Sequence, residues 1–489
     1  MTIYEDLKNQ LHKKGVDVIN VDYYELIDVW KSWFKGVVDD FHFYNVKIAD
    51  GSNVQCEKKT MSMAKKAAED MMKLNWSNNC KIKLGSDEKT KKLWDVLDSK
   101  QNNFTIMFPQ MLEMAFALGT TAMTEYKDEL GRTRIEYIND ASCIVPYAYD
   151  NFNITGFVVV NQWQETEGKK PIYYTHLTYH EFKAQEDDKG ELKQIYRKYN
   201  ELYKSKDENQ LGKEINFEDK FPNVEQLVEY DTDTPHFQVI KPPIVNNVDI
   251  STPMGISIFA NSIDKLKAID NKYDSFDMEF IDGKRRILVD KTALKASPQV
   301  EADGSISQQM FFDRNDRTYV AMNGMKDQPV KDISFDLRYK EHVDSINAEL
   351  NWYSSALGFG EEFYKFDGGG QATATEIISQ NDDAFRTKQV YETVIKDVIK
   401  DLVMAICFLE EIEVSENEIE IIMDYSRFEN QTATQQRLER EVSRGITSKV
   451  EYRMKVYGET EEIAKQKIAE IEENEPSVDK LMGKKDGEE

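Results

Sequence analysis

The most regular hydrophobic pattern of the chain lies near its C-terminal end, where two helical periodicities flank a glycine-rich break. Apolar residues recur there at spacings of three and four: Tyr339, Val343, Ile346, Leu350, Tyr353 and Leu357. Neither Gly nor Pro interrupts residues 372–410, where the same rhythm continues. This spacing is typical of amphipathic helices. It predicts helices over 338–357 and 372–410, joined by the break 358–371.

The N-terminal half shows helical spacing first and strand-like spacing afterwards. Apolar positions in 23–34 and 61–72 predict that residues 1–100 are helical, and a further helix is expected over 104–118. Short alternating or β-branched runs then predict strands at 121–126, 133–138, 154–163 and 172–179. The polar stretch 203–233 is predicted to be a long surface excursion.

A long helix is expected next, opened by Pro253 and covering residues 255–282. It leads into a compact insert, 283–336, with short predicted strands at 286–289 and 318–322. Beyond the glycine-rich break and its long helix, the pattern predicts a strand at 418–425, helices at 431–443, 448–457 and 460–473, and a disordered charged tail. The fold class is therefore α+β and mainly helical.

Charge and composition narrow the possible functions. The 489 residues carry a net charge of −26, which argues against tight binding of a phosphate backbone over a large surface. The four cysteines lack CxxC spacing, which favours a reducing compartment. The N-terminus lacks the apolar core of a signal peptide, and the longest apolar run, Leu402–Leu409, is too short to span a bilayer. We therefore expect a soluble intracellular product.

Motifs of known catalytic chemistry are absent from the sequence. It contains no GxxxxGK[ST], so Gly368, Gly369 and Gly370 cannot form a phosphate-binding P-loop, and it lacks GxSxG and HExxH. His176 and His180 have a spacing that would suit a metal ion on a helix, but their surroundings favour a strand, where the rings would lie ~13 Å apart. We expect no catalytic residue, no metal site and no cofactor.

Two other segments have candidate chemistry. The break 358–371 is rich in aromatic residues and has Lys365 as its only base, so it is either a plain helix connector or a surface that contacts something moving, without a strong grip on phosphate. The insert 283–336 is locally basic: Lys284, Arg285, Arg286, Arg314 and Arg317. These bases form either a solvated rim or an interface with an acidic neighbouring subunit or nucleic acid.

In the order of these parts and in several short sequence segments, the chain resembles the portal proteins of tailed bacteriophages. These are the head–tail connectors of long-tailed phages that infect Gram-positive bacteria. The resemblance covers roughly residues 20–475 and lies in these segments: Phe116–Met123, Ile172–Leu177, Met254–Phe259, Ile269–Ser275, Gly370–Ile377, Gly445–Ser448 and Tyr457–Gly458. No single segment is diagnostic, and the order of all of them carries the resemblance.

The resemblance implies a layout in five parts and a tail. Residues 1–254 and part of 372–425, the long helix and strand that return to it, would form the wing. Residues 255–282 and 337–357 would be the two stem helices, 283–336 the clip, 358–371 the tunnel loop, 426–475 the crown and 476–489 a disordered tail. Stem packing would involve Phe259, Ile263, Leu266, Tyr273, Val343, Ile346 and Leu350. The DNA-facing tunnel loop would include Gly358, Phe359, Gly360, Phe363, Tyr364, Lys365, Phe366, Gly368, Gly369 and Gly370. The clip bases Lys284, Arg285, Arg286, Arg314 and Arg317 would meet an adaptor or a neighbouring subunit.

The resemblance also implies a function. About twelve copies would form a dodecameric ring at one capsid vertex, around a channel for double-stranded DNA in packaging and ejection. The terminase large subunit would dock on the ring, a head-completion adaptor would bind the clip, and the major capsid and scaffolding proteins would surround it. The ring would assemble in the host cytoplasm and end in the virion, without contact with a membrane.

Two alternatives remain open at this point. The chain could be a capsid or baseplate component without a DNA path, or, against the missing P-loop, a packaging ATPase or nuclease of the same particle.

Overall fold

The structure is a computed structural model that describes residues 3–13, 22–47, 52–186, 192–283, 286–290, 296–300, 306–310, 319–322, 330–333, 336–366, 374–424, 438–457 and 461–474. The chain divides into two compact units, Met1–Met423 and Asp424–Glu489. Within the described ranges, no helix is both long and apolar enough to cross a lipid bilayer.

The N-terminal part is built mainly of helices: α1 (Ile3–Lys13), α2 (Tyr23–Lys35), α3 (Asp39–His42), α4 (Met63–Asn75), α5 (Asp87–Leu97) and α6 (Phe104–Leu118). The prediction that residues 1–100 are helical is confirmed for 23–34 and 61–72, which form α2 and α4. It is wrong in part, because β1 (Phe43–Lys47) and β2 (Asn53–Glu57) pair as an antiparallel hairpin, and β3 (Lys81–Lys83) follows. Asn53–Glu57 alternates polar and apolar residues, which is the pattern of a strand, although the hairpin is mostly exposed.

A β-rich region follows α6. Strands β4 (Thr121–Lys127) and β5 (Thr133–Ile138) pair with β12 (Phe237–Ile240) in a three-stranded sheet. A larger sheet has the order β10-β9-β8-β7-β6, with β11 also paired to β9. Its strands are β6 (Ile144–Asp150), β7 (Asn153–Glu167), β8 (Lys170–Glu186), β9 (Leu192–Ser205), β10 (Lys213–Ile215) and β11 (Leu227–Asp231). The four predicted strands are confirmed.

The prediction that 203–233 is only a surface excursion is wrong in part. This segment contains the end of β9 and the strands β10 and β11, which both pair with β9. The side chains of β11 alternate between half-buried and exposed, and the exposed positions are Leu227, Glu229 and Asp231. A strand at the edge of a sheet can be polar on one face, which hides it among loop-like residues.

The predicted helix 255–282 begins later than expected. Helix α7 covers Ile263–Asp282, and residues 254–259 before it run beside the end of α6 instead. The backbone N–H of Gly255 donates to Thr120 Oγ1 at 3.0 Å, and that of Ile258 donates to Phe116 O at 3.0 Å. A Cβ on Gly119 would lie 2.3 Å from the carbonyl oxygen of Gly255. The glycine pair therefore permits a close backbone contact that replaces helical hydrogen bonds.

The rest of the first unit follows the predicted order. Helix α8 (Tyr339–Ala356) and helix α9 (Ala374–Leu409) confirm the two periodic segments, and the 36 residues of α9 give it a length of about 54 Å. The predicted insert strands are confirmed as β13 (Arg286–Asp290) and β16 (Tyr319–Met322), which pair in parallel. The insert also contains β17 (Val330–Ile333), antiparallel to β13, and the hairpin of β14 (Ala296–Val300) and β15 (Ile306–Met310).

The end of the first unit and the second unit agree with the sequence where they are described. Strand β18 (Glu420–Ile422) is shorter than the predicted 418–425 and pairs with β3. In the second unit, residues 438–443 are helical, followed by α10 (Lys449–Tyr457) and α11 (Glu461–Asn474). The predicted tail, residues 476–489, lies outside the described residues.

Candidate functional site

The helices on either side of the insert form a packed pair. On α7, Leu266 and Ile269 are buried, and on α8 the residues Val343, Ile346 and Leu350 are buried. These positions keep the spacing of three and four that gives one helix a single apolar face. The pairing brings the two ends of the insert close together, as a hairpin of two long helices does.

The seven residues predicted to pack the stem do so to different degrees. Five are buried: Phe259, Leu266, Val343, Ile346 and Leu350. Ile263 and Tyr273 are half-buried. Phe259 lies before the start of α7, so it belongs to the extended segment that packs beside α6 and not to the helix.

Ion pairs join α7 and α8 at two positions along the helix pair. Lys272 on α7 lies 2.7 Å from Glu349 on α8. Near the insert, the guanidinium of Arg338 donates to Glu279 through two nitrogens, with Nε at 3.1 Å from Oε1. This guanidinium lowers the pKa of Glu279 to about 2, so the pair stays charged at any pH at which the protein is handled.

Helix α7 is also fixed to the N-terminal part through a buried aspartate. Asp270 accepts a hydrogen bond from the backbone N–H of Met61 at 2.9 Å and lies 3.1 Å from Nε2 of His42. The Nδ1 atom of His42 accepts from the N–H of Val38, so Nε2 carries the hydrogen that points at Asp270. One turn further along α7, Asp274 accepts from the backbone N–H of Lys59. These contacts prevent α7 from sliding past the N-terminal helices.

The first part of the glycine-rich break folds back along α8 and is held by a polar stripe of that helix. Its backbone N–H groups donate to three side chains of α8. Phe366 N–H donates to Asn347 at 2.8 Å, Glu362 N–H to Asn351 at 3.2 Å and Tyr364 N–H to Ser354 at 3.2 Å. Positions 347, 351 and 354 share one face of a helix. The described part of the break, 358–366, is therefore a docked segment and not a free hinge.

The aromatic residues of this segment divide into buried and exposed members. Phe359 is fully buried and stacks on Phe363 with ring centroids 4.4 Å apart, and Tyr364 is also buried. Phe363 is 37% exposed. Phe366 packs its ring edge-on against Phe276 of α7 at 5.4 Å.

Phe359 and Tyr364 are buried, so neither ring lies on the surface of the chain, and the DNA-facing role expected of the loop residues stays a prediction. The physical reason for the burial is that α8 supplies an apolar floor and hydrogen-bond acceptors close to the break. The aromatic content of the segment reflects this docking as well as any external contact. Exposed Phe363 and Lys365, together with half-buried Phe366, remain accessible.

Gly358 begins the segment in a conformation that suits glycine alone. Its φ is +80°, and a Cβ at this position would lie 2.6 Å from Oγ1 of Thr387 on α9. The hydroxyl of Thr387 donates to the carbonyl oxygen of Gly358 at 2.6 Å. Gly360 has a φ of +88°. The first glycine therefore ends α8 and brings the chain against the long helix, a role that goes beyond general flexibility.

The charge of the described segment is weak. Lys365 lies 2.7 Å from Glu362, and Glu361 adds a further exposed carboxylate. This arrangement leaves no cluster of positive charge among residues 358–366, so a strong electrostatic grip on phosphate is excluded for this part of the chain. Gly368, Gly369 and Gly370 lie outside the described residues.

The basic residues of the insert remain a prediction. Lys284, Arg285, Arg314 and Arg317 lie outside the described residues. Arg286 begins β13, where its backbone pairs with Ile333. Their expected role at an interface therefore has no structural account.

The histidine pair considered as a metal site lies on β8, as the strand pattern predicted. The ring of His176 packs against Phe217 and Phe221, and its Nε2 lies 3.0 Å from Asn200 Oδ1. His180 is buried against Phe157. Over the described ranges, no group of His, Cys, Asp and Glu is arranged to hold a metal ion.

Two kinds of residue that matter here escaped the sequence reasoning. Asn347, Asn351 and Ser354 are polar residues at helical spacing next to the apolar stripe of α8. In the sequence, this pattern is a signal that another polar part of the chain lies along that face of the helix. Thr387 gave no signal at all, because nothing in the sequence places it beside Gly358.

No curated protein matches the chain. Similar solved structures include two neck assemblies. The "Neck of native GTA particle computed with C12 symmetry" is 10% identical over 80% of this chain and 88% of that chain, with a TM-score of 0.39. The "Neck of empty GTA particle computed with C6 symmetry" is 11% identical over the same shares, with a TM-score of 0.37.

The match to a protein family covers more of the chain than these structures do. Residues 21–479 match the family described as "Phage portal protein, SPP1 Gp6-like", which covers both compact units and the docked segment between α8 and α9. This match confirms the resemblance drawn from the sequence. The chain therefore belongs to the SPP1 Gp6-like family of phage portal proteins.

Proposed function

We propose that this protein forms a ring of about twelve copies at one vertex of a phage capsid, and that double-stranded DNA passes through the ring during packaging and ejection. The family match over residues 21–479 is the observation that carries this proposal. The proposed parts are the wing, stem, clip, tunnel loop and crown, with the boundaries expected from the sequence.

The surface of the helix pair supports assembly with further copies. After α7 and α8 have buried their facing residues, both helices still expose large apolar side chains: Met278, Phe280, Ile281, Tyr339 and Trp352. Trp352 is 60% exposed, which is costly for the largest apolar side chain unless something covers it. In a closed ring each subunit meets two neighbours through different faces, and we propose that these residues, which lie at several places along the two helices, contribute to such contacts.

The docked segment 358–366 supports a contact role without a tight grip. Phe363 is exposed beside the Lys365–Glu362 ion pair. Moving DNA would therefore meet an aromatic side chain and a surface of little net charge. We propose that the segment acts by steric contact from a fixed base on α8. The glycines that follow it, Gly368–Gly370, would supply the moving part.

The partners follow from the same proposal. The terminase large subunit would dock on the ring, a head-completion adaptor would bind the clip (283–336), and the major capsid and scaffolding proteins would surround the ring in the host cytoplasm before it becomes part of the virion. The protein would act as a conduit and docking platform, with no catalytic role of its own.

Assembly can be tested on the purified chain with a matched pair of variants. Native mass spectrometry and negative-stain images should show rings of about a dozen subunits. Trp352→Glu should lower the ring fraction, because it places a charge in the proposed contact. Leu130→Glu introduces the same charge at a highly exposed turn and should leave rings unchanged. A wild-type chain that stays monomeric or dimeric, alone and with scaffolding protein, contradicts the proposal.

The DNA path needs a separate test. Replacing Gly368–Gly370 with alanine should slow or block packaging while rings still assemble. Lys365→Glu should slow packaging modestly if the segment touches phosphate. Normal packaging by the triple-alanine variant would instead favour a virion component without a DNA path.

A further inference from the structure

An exposed apolar surface lies where the turn between β6 and β7 meets the segment that precedes α7. We call it the turn patch, and it consists of five exposed residues: Tyr149, Phe152, Val245, Val248 and Ile250. Val245 is 82% exposed and Ile250 is 75% exposed. Lys241 joins the two parts of the patch, because its amino group donates to the carbonyl oxygens of Phe152 at 2.6 Å and Pro253 at 3.0 Å.

The turn holds Phe152 in a strained backbone conformation. Asp150 pairs with Asn153, which leaves a turn of two residues, and φ is +47° at Asn151 and +64° at Phe152. Turns of this kind favour glycine at the second position, and a bulky residue adopts positive φ only at an energetic cost. The ring of Phe152 is exposed and meets Tyr149 at a centroid distance of 6.4 Å. Strain at an exposed ring favours a contact outside the chain itself.

The segment that carries the other residues of the turn patch is fixed by side-chain amides. Asn247 and Asn261 exchange two hydrogen bonds, at 2.9 and 3.0 Å. The amide of Asn246 donates to the carbonyl oxygen of Met254 at 3.0 Å and to the hydroxyl of Tyr23 at 3.2 Å. A surface that is already ordered loses little conformational entropy when a partner covers it.

A second apolar surface lies on the hairpin of β1 and β2. The register places Tyr44 opposite Cys56 and Val46 opposite Val54. Because side chains alternate between the two faces of a strand, these four residues share one face, which we call the ribbon face. The opposite face is polar apart from Phe43. Tyr44, Val46 and Val54 are exposed, and a hairpin of two strands is only marginally stable in water without further packing.

Both surfaces carry little charge in a strongly charged chain. Residues 242–254 contain one charged residue, Asp249, although 31% of the whole chain is charged. The turn adds Asp150, and the two hairpin strands contain only Lys47 and Glu57. Depletion of charged residues is typical of the core of a protein–protein interface. Two copies that each carry −26 repel one another overall, so a contact between copies requires surfaces of this kind.

The size of the turn patch suits one contact among several. Aromatic side chains offer about 150–250 Å² each, so five exposed residues of comparable size present on the order of 500 Å². A standard stable interface needs about 800 Å² from each partner. The turn patch alone is therefore too small for a stable dimer, but it is sufficient as part of a ring in which each copy has further contacts with two neighbours.

We propose that the turn patch of one copy receives the ribbon face of a neighbouring copy. The proposal rests on the proposed ring, and it names a contact that the α7–α8 pair does not supply. A ring requires two different surfaces on each copy, one for each neighbour, and a narrow ribbon and a broader patch are two such surfaces. Both are exposed in the described chain, so neither covers the other within one copy.

Disulfide cross-linking of assembled rings tests this contact directly, because Cys56 already lies on the ribbon face. Val245→Cys, Val248→Cys and Phe152→Cys each place a second thiol in the turn patch. After oxidation, at least one of them should give a ladder of covalent oligomers on a non-reducing gel, and adding Cys56→Ser should abolish that ladder. Leu130→Cys, at an exposed turn, is the matched control and should give no ladder. Rings that form normally while none of the three variants cross-links through Cys56 overturn the proposal and leave the ring itself intact.

Charged substitutions provide a measurement that does not depend on disulfide geometry. Val54→Glu and Val245→Glu should each raise the protein concentration for half-maximal ring formation by about tenfold or more, because each buries an unpaired charge. Val54→Lys combined with Val245→Glu should assemble better than Val54→Glu combined with Val245→Glu, as measured by native mass spectrometry at one salt concentration. Equal assembly of the two double variants overturns the pairing of these surfaces. A wild-type chain that forms no ring contradicts the proposed function instead, and the contact between copies fails with it.

Discussion

Replacing Phe359 with alanine removes a ring that is fully buried where the chain leaves α8. The ring stacks on Phe363 at 4.4 Å and meets the edge of Tyr364 at 5.9 Å, so the surrounding side chains are themselves fixed and cannot easily fill the space. Truncation of a buried Phe to Ala costs about 3–5 kcal/mol of the free energy of unfolding. We expect a cost in this range for Phe359→Ala.

The expected change in melting temperature follows from the size of the unit. Unfolding entropy of about 2.1 cal/mol/K per residue gives roughly 0.9 kcal/mol/K for Met1–Met423. A cost of 3–5 kcal/mol then lowers Tm by about 3–6 °C. The measurement is differential scanning calorimetry at one protein concentration and scan rate, because assembly and irreversibility both shift Tm.

Phe363→Ala is the matched control, since it removes the same ring from a position that is 37% exposed. Its Tm should fall by no more than about 2 °C. If Phe359→Ala lowers Tm no more than Phe363→Ala, while DNA packaging is impaired, the ring of Phe359 faces the channel as the sequence suggested. The docking of this segment on α8 would then be wrong.

Three further predictions concern single positions. Gly358→Ala should destabilise the protein by about 1 kcal/mol more than Gly131→Ala, because both glycines have positive φ but only the first would meet another side chain; urea unfolding of the pair measures the difference. Burial raises the pKa of Glu125 to about 8 from 4.5, so the folded state retains a proton and its stability falls as pH rises from about 4.5 to 8. Glu125→Gln removes this dependence of stability on pH, so the Tm of the variant minus that of wild type should rise as pH increases over that range. A difference in Tm that stays constant with pH contradicts the prediction. Asp270→Ala leaves two buried donors without their acceptor and should cost about 3 kcal/mol, whereas exposed Asp264→Ala should cost under about 0.5 kcal/mol.

Long periodic segments were the most predictable part of this fold. The spacing from Tyr339 to Leu357 and the uninterrupted segment before Glu410 predicted α8 and α9 within two residues at each end. Both helices bury one continuous stripe, so the burial pattern in space repeats the pattern in the sequence. The strands β7 and β8 were recognised for the same reason, although they extend further than their apolar cores.

Elements defined by a partner distant in sequence were less predictable. The start of α7 depends on Gly119 and Thr120, which capture the backbone of residues 254–258. Strand β11 forms by pairing with β9, and its five residues lie within a largely polar stretch of the sequence. In each case a hydrogen-bond partner more than twenty residues away decides the conformation. The local sequence pattern does not reveal that partner.

The candidate site shows the same division. Through its spacing, its glycines and the order of its parts, the sequence by itself determined two long helices, the break between them and membership of the portal family. Only the tertiary structure decided that residues 358–366 lie back on α8, with Phe359 and Tyr364 inside and Phe363 outside. The physical reason is that an aromatic side chain gains free energy equally by burial in its own chain or by contact with a partner. Composition cannot distinguish burial within the chain from contact with a partner. The distinction comes from the folded structure, where the side chains of Asn347, Asn351 and Ser354 hold the segment on α8.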